Sequence, residues 1–253
     1  MSGTVSRRKW LRAGAATAAG ATGLAVAVKI ADRYGLIPPD CGGIWGPGMT
    51  LTYATQRMLM SGDSMAREFN RSEISRVTPV SGWQPKTDEY QRLKKNGFKE
   101  WRLMIDGLVA RPSSFSLEEI KRMPAKSQIT HQACEEGWSF IAEWTGVPLS
   151  HVLNLVGISP KANYIVYFAY DKAWDSVDMQ DALHPQTLLA YGMNGEDLPT
   201  DHGAPIRMRV PRQLGQKSKK YLWKMTVVDS LKNVGDGRGG IDPSEGYTWY
   251  MGI

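Results

Sequence analysis

Cysteine is scarce. The chain has two, Cys41 and Cys134, among 253 residues, which excludes a disulfide scaffold and leaves too few thiolates for a structural zinc site. Histidine is scarce as well. His131, His151, His184 and His202 show no H-E-x-x-H spacing, which argues against a zincin. Long apolar runs are missing. The N-terminal uncharged stretch, Ala13–Val28, is sixteen residues and mostly Ala and Gly, short of the roughly 20 that a membrane span needs, so a polytopic membrane protein is excluded. There is no C-x-x-C-H for covalent haem, no Walker loop and no G-x-S-x-G. Gly235–Gly240 does spell G-x-G-x-x-G, but Pro243 and more glycine follow. The sequence therefore predicts no helix there to offer its N-terminus to a pyrophosphate. What remains is ordinary for a globular protein, 42% hydrophobic and 22% charged, with length for one large domain or two small ones.

The first thirty residues read as an address. Arg7-Arg8-Lys9 opens a basic region, the weakly apolar Ala13–Val28 run follows, and Ala25-Val26-Ala27 offers a cleavage site. These are the three parts of a signal peptide, here of twin-arginine type. A basic amphipathic arm or a transit peptide shares some of these features. The leader also explains the charge. Four of the six excess positive charges (Arg7, Arg8, Lys9, Arg12) lie in residues 1–27, leaving +2, too little to draw nucleic acid. The expected organisation is a leader or anchor over 1–31, a linker and wrapping segment over 32–60, and one domain over 61–253. An oxidising destination makes a Cys41–Cys134 disulfide the plain alternative to any special role for Cys134.

Along the chain, residues 61–98 are polar and read as loop-rich. Strands are predicted at Trp101–Val109, Tyr164–Tyr170, Leu188–Met193, Ile206–Val210 and Tyr221–Val228, with Asn194-Gly195 as a tight hairpin turn. Ser116 with Glu119 is a capping box before a short helix stopped by Pro124, and Ser150–Gly157 is a second helix ended by glycine. The fold class is α+β: mixed β-sheets with short helices.

Two segments carry chemistry. Cys134 is a single soft thiolate at the end of a strand-like run, so any metal it binds must bring its other ligands along, as a metal inside an organic cofactor does. Arg207–Lys220 holds six cations within fourteen residues. Such a run is a phosphate pocket or a solvated basic loop.

At these residues the chain resembles the sulfite-oxidase-fold molybdopterin oxidoreductases, in particular the branch of periplasmic protein-methionine-sulfoxide reductase catalytic subunits. The resemblance spans about residues 64–232 and rests on four ordered blocks. These are Trp101 with Asp106–Val109; Cys134-Glu135-Glu136-Gly137-Trp138-Ser139 with Trp144–Leu149; Asp181–Leu188; and Asp197–Lys220. It implies a sulfite-oxidase-like fold and a molybdenum–molybdopterin cofactor, with Cys134 as the protein ligand to the metal. Arg207, Lys217, Ser218, Lys219 and Lys220 match positions that hold the pterin phosphate. His202 stands where the reductase has a cofactor-contacting Asn. Asn70 matches the N-terminal contact segment loosely, and Ser176, in the loop after the Tyr164–Tyr170 strand, is a further candidate. His184 is either a contact or a buried His fixing the Pro185 turn. Glu136 matches an acid near the metal, a proton relay or else a salt-bridged loop carboxylate.

The resemblance implies an exported, periplasmic oxidoreductase, membrane-anchored where the leader is retained and carried by the twin-arginine machinery. It would reduce a sulfoxide with electrons from a membrane cytochrome b or a soluble cytochrome. Two alternatives stand beside it. One is sulfite-oxidase-like oxidation of a small reduced donor, against which Gly137-Trp138 replace the oxyanion-holding arginines of sulfite oxidases. The other is a metal-free exported binding module with a Cys41–Cys134 disulfide. Without the dimerisation domain of sulfite oxidases, a monomer is expected.

Overall fold

The computed structural model describes residues 46–59 and 64–253, together with Val26 and Pro38. The leader expected over 1–31, Val26 aside, and Cys41 lie outside the described residues. Among those described, no helix is long and apolar enough to cross a membrane. The chain divides into two units, Met1–Leu59 and Met60–Ile253.

In the first unit the described part is helix α1, Gly46–Leu59, where a linker and wrapping segment was expected. One turn apart on it, the Arg57 guanidinium stacks 5.2 Å from the Tyr53 ring centre.

The second unit is built on two sheets. The first has strand order β2-β1-β10-β5-β6, from β1 (Arg102–Gly107), β2 (Ser113–Ser116), β5 (Tyr164–Ala169), β6 (Trp174–Asp178) and β10 (Leu222–Val228). Only β1 and β10 run parallel in it. The second is an antiparallel sheet of β3 (Lys126–Ala133), β4 (Ser139–Pro148) and β7 (Leu188–Met193), with β8 (Glu196–Asp197) and β9 (Arg207–Arg209) both pairing with β7. Period-two alternation sets the faces. Leu103 and Ile105 of β1 point inward, and so do Met225 and Val227 of β10. They join Val147 of β4, Leu189 of β7 and the helix Leu149–Val156 in one core. That helix buries Leu149, Val152, Leu153 and Val156, one apolar stripe, and ends at Gly157 in the left-handed region. Each such side chain contributes about 1.5–3 kcal/mol by leaving water.

The five expected strands are present, as are the Ser116 capping box and the Asn194-Gly195 turn, whose φ angles are 53° and 87°. Several elements differ from expectation. Residues Asp88–Lys95, expected as loop, form a helix. Thr87 caps it, acids sit in its first turn and bases in its last, and only Tyr90 and Leu93 are buried. Ser176 is not in a loop but inside β6, paired with Val166. A one-turn helix, Ile241–Ser244, does follow Gly240, though its Asp242 faces a lysine rather than an anion.

Candidate active site

Cys134 stands at the tip of the β3–β4 hairpin. The two strands pair from Lys126↔Gly146 to Ala133↔Ser139, and the pairing ends with the Cys134 amide donating to the Trp138 carbonyl at 2.9 Å. Glu135-Glu136-Gly137 make a three-residue loop whose last member has φ 92°, a position where glycine avoids strain. On β3 the buried residues are Gln128, Thr130 and Gln132. Cys134 continues that inward period. Its Sγ lies 3.5 Å from Glu135 Oε2 and 3.9 Å from Glu136 Oε2, and the Trp138 indole N–H donates to Glu136 Oε2 at 2.8 Å. Burial first, and then the two carboxylates, push the thiol up to about 11, against a backbone N–H that pulls it down. A metal taking this sulfur would displace a proton.

The loop that follows β9 lies against the Cys134 hairpin and shares a cleft with it. A Cβ on Gly215 would sit 2.6 Å from Gln132 Nε2 and 3.1 Å from the Ala133 carbonyl, so the loop packs directly on the cysteine hairpin only because residue 215 has no side chain. Arg207, Ser218, Lys219, Lys220 and His202 all line this cleft with Cys134. Arg207 is buried and donates to the carbonyls of His202 (3.0 Å) and Ser218 (2.7 Å). Arg209, equally buried, donates to Thr130 Oγ1 and the His131 carbonyl. Both guanidiniums lie over the Trp144 ring, 4.9 and 5.4 Å from its centre, and neither has a carboxylate in salt-bridge range among the described residues. Burial lowers Arg207 to about 10 and Arg209 to about 9. Lys220 donates to the carbonyls of Ser81 (2.6 Å) and Asp201 (3.0 Å) and is lowered to about 8, by burial and then by Arg207. Burial pulls Lys219 down, but Asp175 and Asp242 outweigh it and hold the ammonium above its ordinary value. Its Nζ meets Asp242 Oδ2 at 2.6 Å. Ser218 Oγ accepts from the Val210 amide at 3.0 Å, leaving its hydroxyl hydrogen for a ligand. His202 meets Thr78 Oγ1 at 3.1 Å and is held down at about 4 by burial, then Arg207 and Lys220.

Not every expected residue reaches the cleft. Lys217 is fully buried behind it. Its Nζ pairs with Asp175 Oδ1 at 2.6 Å and lies 4.9 Å from the Trp249 ring centre. Ser176 Oγ donates to the Gly239 carbonyl and accepts from the Trp249 indole at 2.9 Å, on that same far side. Residues 239–253 thus brace the loop from behind. The Leu214 amide donates to the Met251 carbonyl and Gln216 Nε2 to the Thr248 carbonyl. His184 is buried, with Nδ1 accepting from the Gln186 amide and Nε2 meeting the Ser64 carbonyl. It does not line the cleft that holds Cys134. Asn70 caps the single turn Arg71–Glu73 through Glu73 Oε2, exposed and outside the cleft. Glu136 is exposed beside Cys134 rather than inside.

Sequence reasoning missed other lining residues: Glu135, Gln132, Gln216 and the segment Pro79–Gly82. Gln132 Oε1 and Gln216 Oε1 are buried with no hydrogen-bond partner, a costly state unless a ligand supplies one. The inward period of β3 identifies Gln132 once that strand is drawn. These donors and acceptors fit a group with a thiophilic metal at one end and a phosphate at the other. Cys134 carries a free thiol, and Cys41 lies outside the described residues. No cluster of His, Cys, Asp and Glu among the described residues could hold a metal by itself.

Comparison with known proteins agrees in kind. The model of the oxidoreductase molybdopterin binding domain matches residues 90–233. A protein of Azospira oryzae named as a protein-methionine-sulfoxide reductase subunit is 34% identical over 197 residues, 78% of this chain and 71% of its own length. The protein-methionine-sulfoxide reductase catalytic subunit of Xanthomonas campestris pv. campestris is 31% identical over 200 residues, 71% of this chain and 62% of that protein. The crystal structure of sulfane dehydrogenase SoxCD from Paracoccus pantotrophus superposes with a TM-score of 0.50 at 27% identity, covering 52% of this chain and 39% of that one.

Proposed function

The chain belongs to the molybdopterin-binding oxidoreductases of sulfite-oxidase fold, and on that premise we propose that it is an exported sulfoxide reductase whose substrates include methionine sulfoxide. One observation carries the reading: the Cys134 thiol at a hairpin tip and the cations Arg207, Lys219 and Lys220 line a single cleft. The bound cofactor would supply the oxygen-accepting, two-electron chemistry. The chain's own part is threefold. Cys134 would give up its proton and hold the metal through its sulfur. Arg207, Ser218, Lys219 and Lys220 donate to the phosphate, with Lys217 bracing their loop from behind. Glu136, held by the Trp138 indole and 3.9 Å from Sγ, would pass protons, because a sulfoxide becomes a sulfide and water by taking up two protons and two electrons.

The matched relatives are named as subunits, which supports an electron-delivering partner. A membrane cytochrome b or a soluble cytochrome fits the absence of any haem motif in the sequence. Residues 1–31, read from the sequence as a twin-arginine leader, would deliver it to the periplasm, with residues 61–253 as the working domain.

The SoxCD likeness favours a second reading, oxidation of a reduced sulfur donor. Protein from its own exporting host decides between the two. About one molybdenum and one pterin per chain is expected, with kcat/KM for a sulfoxide above that for sulfite. The reverse order of rates would establish the second reading, and molybdenum-free protein despite correct export would remove both.

A further inference from the structure

The acids of the cleft are not equivalent. Asp201 Oδ1 accepts from Gln84 Nε2 and Asp171 Oδ1 from the Ala173 amide. Glu135 alone among them is directed at Cys134, 3.5 Å from Sγ and half-buried in the cleft wall. Glu136 adds a second carboxylate at 3.9 Å. Arg207, Lys219 and Lys220 line the same cleft, and Glu135 is among the carboxylates that hold the Lys219 ammonium above its ordinary value. The cleft thus carries both signs, with two carboxylates nearest the thiol.

We propose that Glu135 is a specificity-determining residue, a fixed negative charge that turns anionic sulfur compounds away from the Cys134 end of the cleft and admits uncharged sulfoxide groups. This rests on the sulfoxide reading above. The physical argument is Coulomb's law. One unit charge about 5 Å away is worth about fourfold in rate or affinity even at the dielectric of bulk water, and more inside a cleft. The positive loop alone would draw a sulfite-sized anion inward, and Glu135 opposes it at the position where reaction takes place.

The test uses Glu135→Gln with Glu135→Asp as the conservative variant, and two readouts. In full-length, molybdenum-free chain carrying Cys41→Ser, Cys134 is alkylated with iodoacetate and with iodoacetamide. The ratio of the two rates cancels the fraction of thiolate and reports only the field. In the loaded enzyme, kcat/KM is compared for dimethyl sulfoxide and the anionic methylsulfinylacetate. Expected are a rise of about fourfold or more in the iodoacetate-to-iodoacetamide ratio for Glu135→Gln, wild-type behaviour for Glu135→Asp, and a parallel gain for the anionic sulfoxide. The effect should fade in 1 M salt, where screening acts over about 3 Å. Unchanged ratios in Glu135→Gln overturn the proposal. Should that variant not fold, the wild-type chain decides: an iodoacetate-to-iodoacetamide ratio that does not rise with salt overturns it. A shifted alkylation ratio in a protein that reduces no sulfoxide would keep the charge filter and sink the sulfoxide reading alone.

Discussion

Lys217 and Asp175 form an ion pair at 2.6 Å with neither side chain exposed to solvent. Burial drives both toward neutrality, raising Asp175 and lowering Lys217, and the pairing holds the charges in place. The lysine belongs to the cation loop by sequence, yet its side chain points away from the cleft and ties the loop to β6.

Removing one partner leaves the other charge buried alone. Asp175→Asn is expected to cost about 3–5 kcal/mol of stability and to lower the molybdenum content. Replacing both partners, Asp175→Leu with Lys217→Met, should recover much of the stability. A denaturant double-mutant cycle measures the difference.

Cys134→Ala should abolish turnover and metal binding while the chain still folds. The side chain lies at a hairpin tip and packs into neither main cluster, so the loss in unfolding free energy should stay within about 1 kcal/mol. Elemental analysis beside urea denaturation checks both halves.

His202 sets an acid limit. Its folded value of about 4 lies below the ordinary 6.5, so between these two the unfolded chain binds a proton that the folded chain refuses. Stability is then full above about pH 6.5, falls as pH drops, and levels off below 4. His202→Asn should reduce the stability lost between pH 7 and pH 5 by about 2 kcal/mol, measured as urea midpoints at both pH values. His131, also lowered by burial and Arg209, keeps its own contribution.

Gly215→Ala places a methyl carbon 2.6 Å from Gln132 Nε2 and 3.1 Å from the Ala133 carbonyl. The hairpin and the loop must part, at about 1–3 kcal/mol, and Cys134 shifts with them. Molybdenum per chain and the melting temperature should fall together.

The sequence told where chemistry sits better than which face of the backbone presents it. Tyr164–Ala169 and Leu222–Val228 were legible because β-branched and aromatic residues crowd them. Trp174–Asp178 was not, since its two aspartates and a serine are residues strands rarely use. They are there because Asp175 meets Lys217 and Asp178 caps the next turn. The helix Asp88–Lys95 was hidden by its polarity, with only Tyr90 and Leu93 facing inward. At the site, Cys134 and the cation run stood out by residue type. Glu135 and Gln132 did not, because their importance lies in a hairpin register that no composition reveals. The side of the loop to which Lys217 turns was equally invisible without Asp175.

The bracing of the cation loop by residues 239–253 has a consequence for the order of events during synthesis. A growing chain brings Arg207–Lys220 out of the ribosome before Asp242, Thr248, Trp249 and Met251 exist to hold them. The loop reaches its folded form only after translation has passed residue 251. A cofactor that needs that loop in its folded form is therefore taken up only once residues 239–251 have been made and have packed against it.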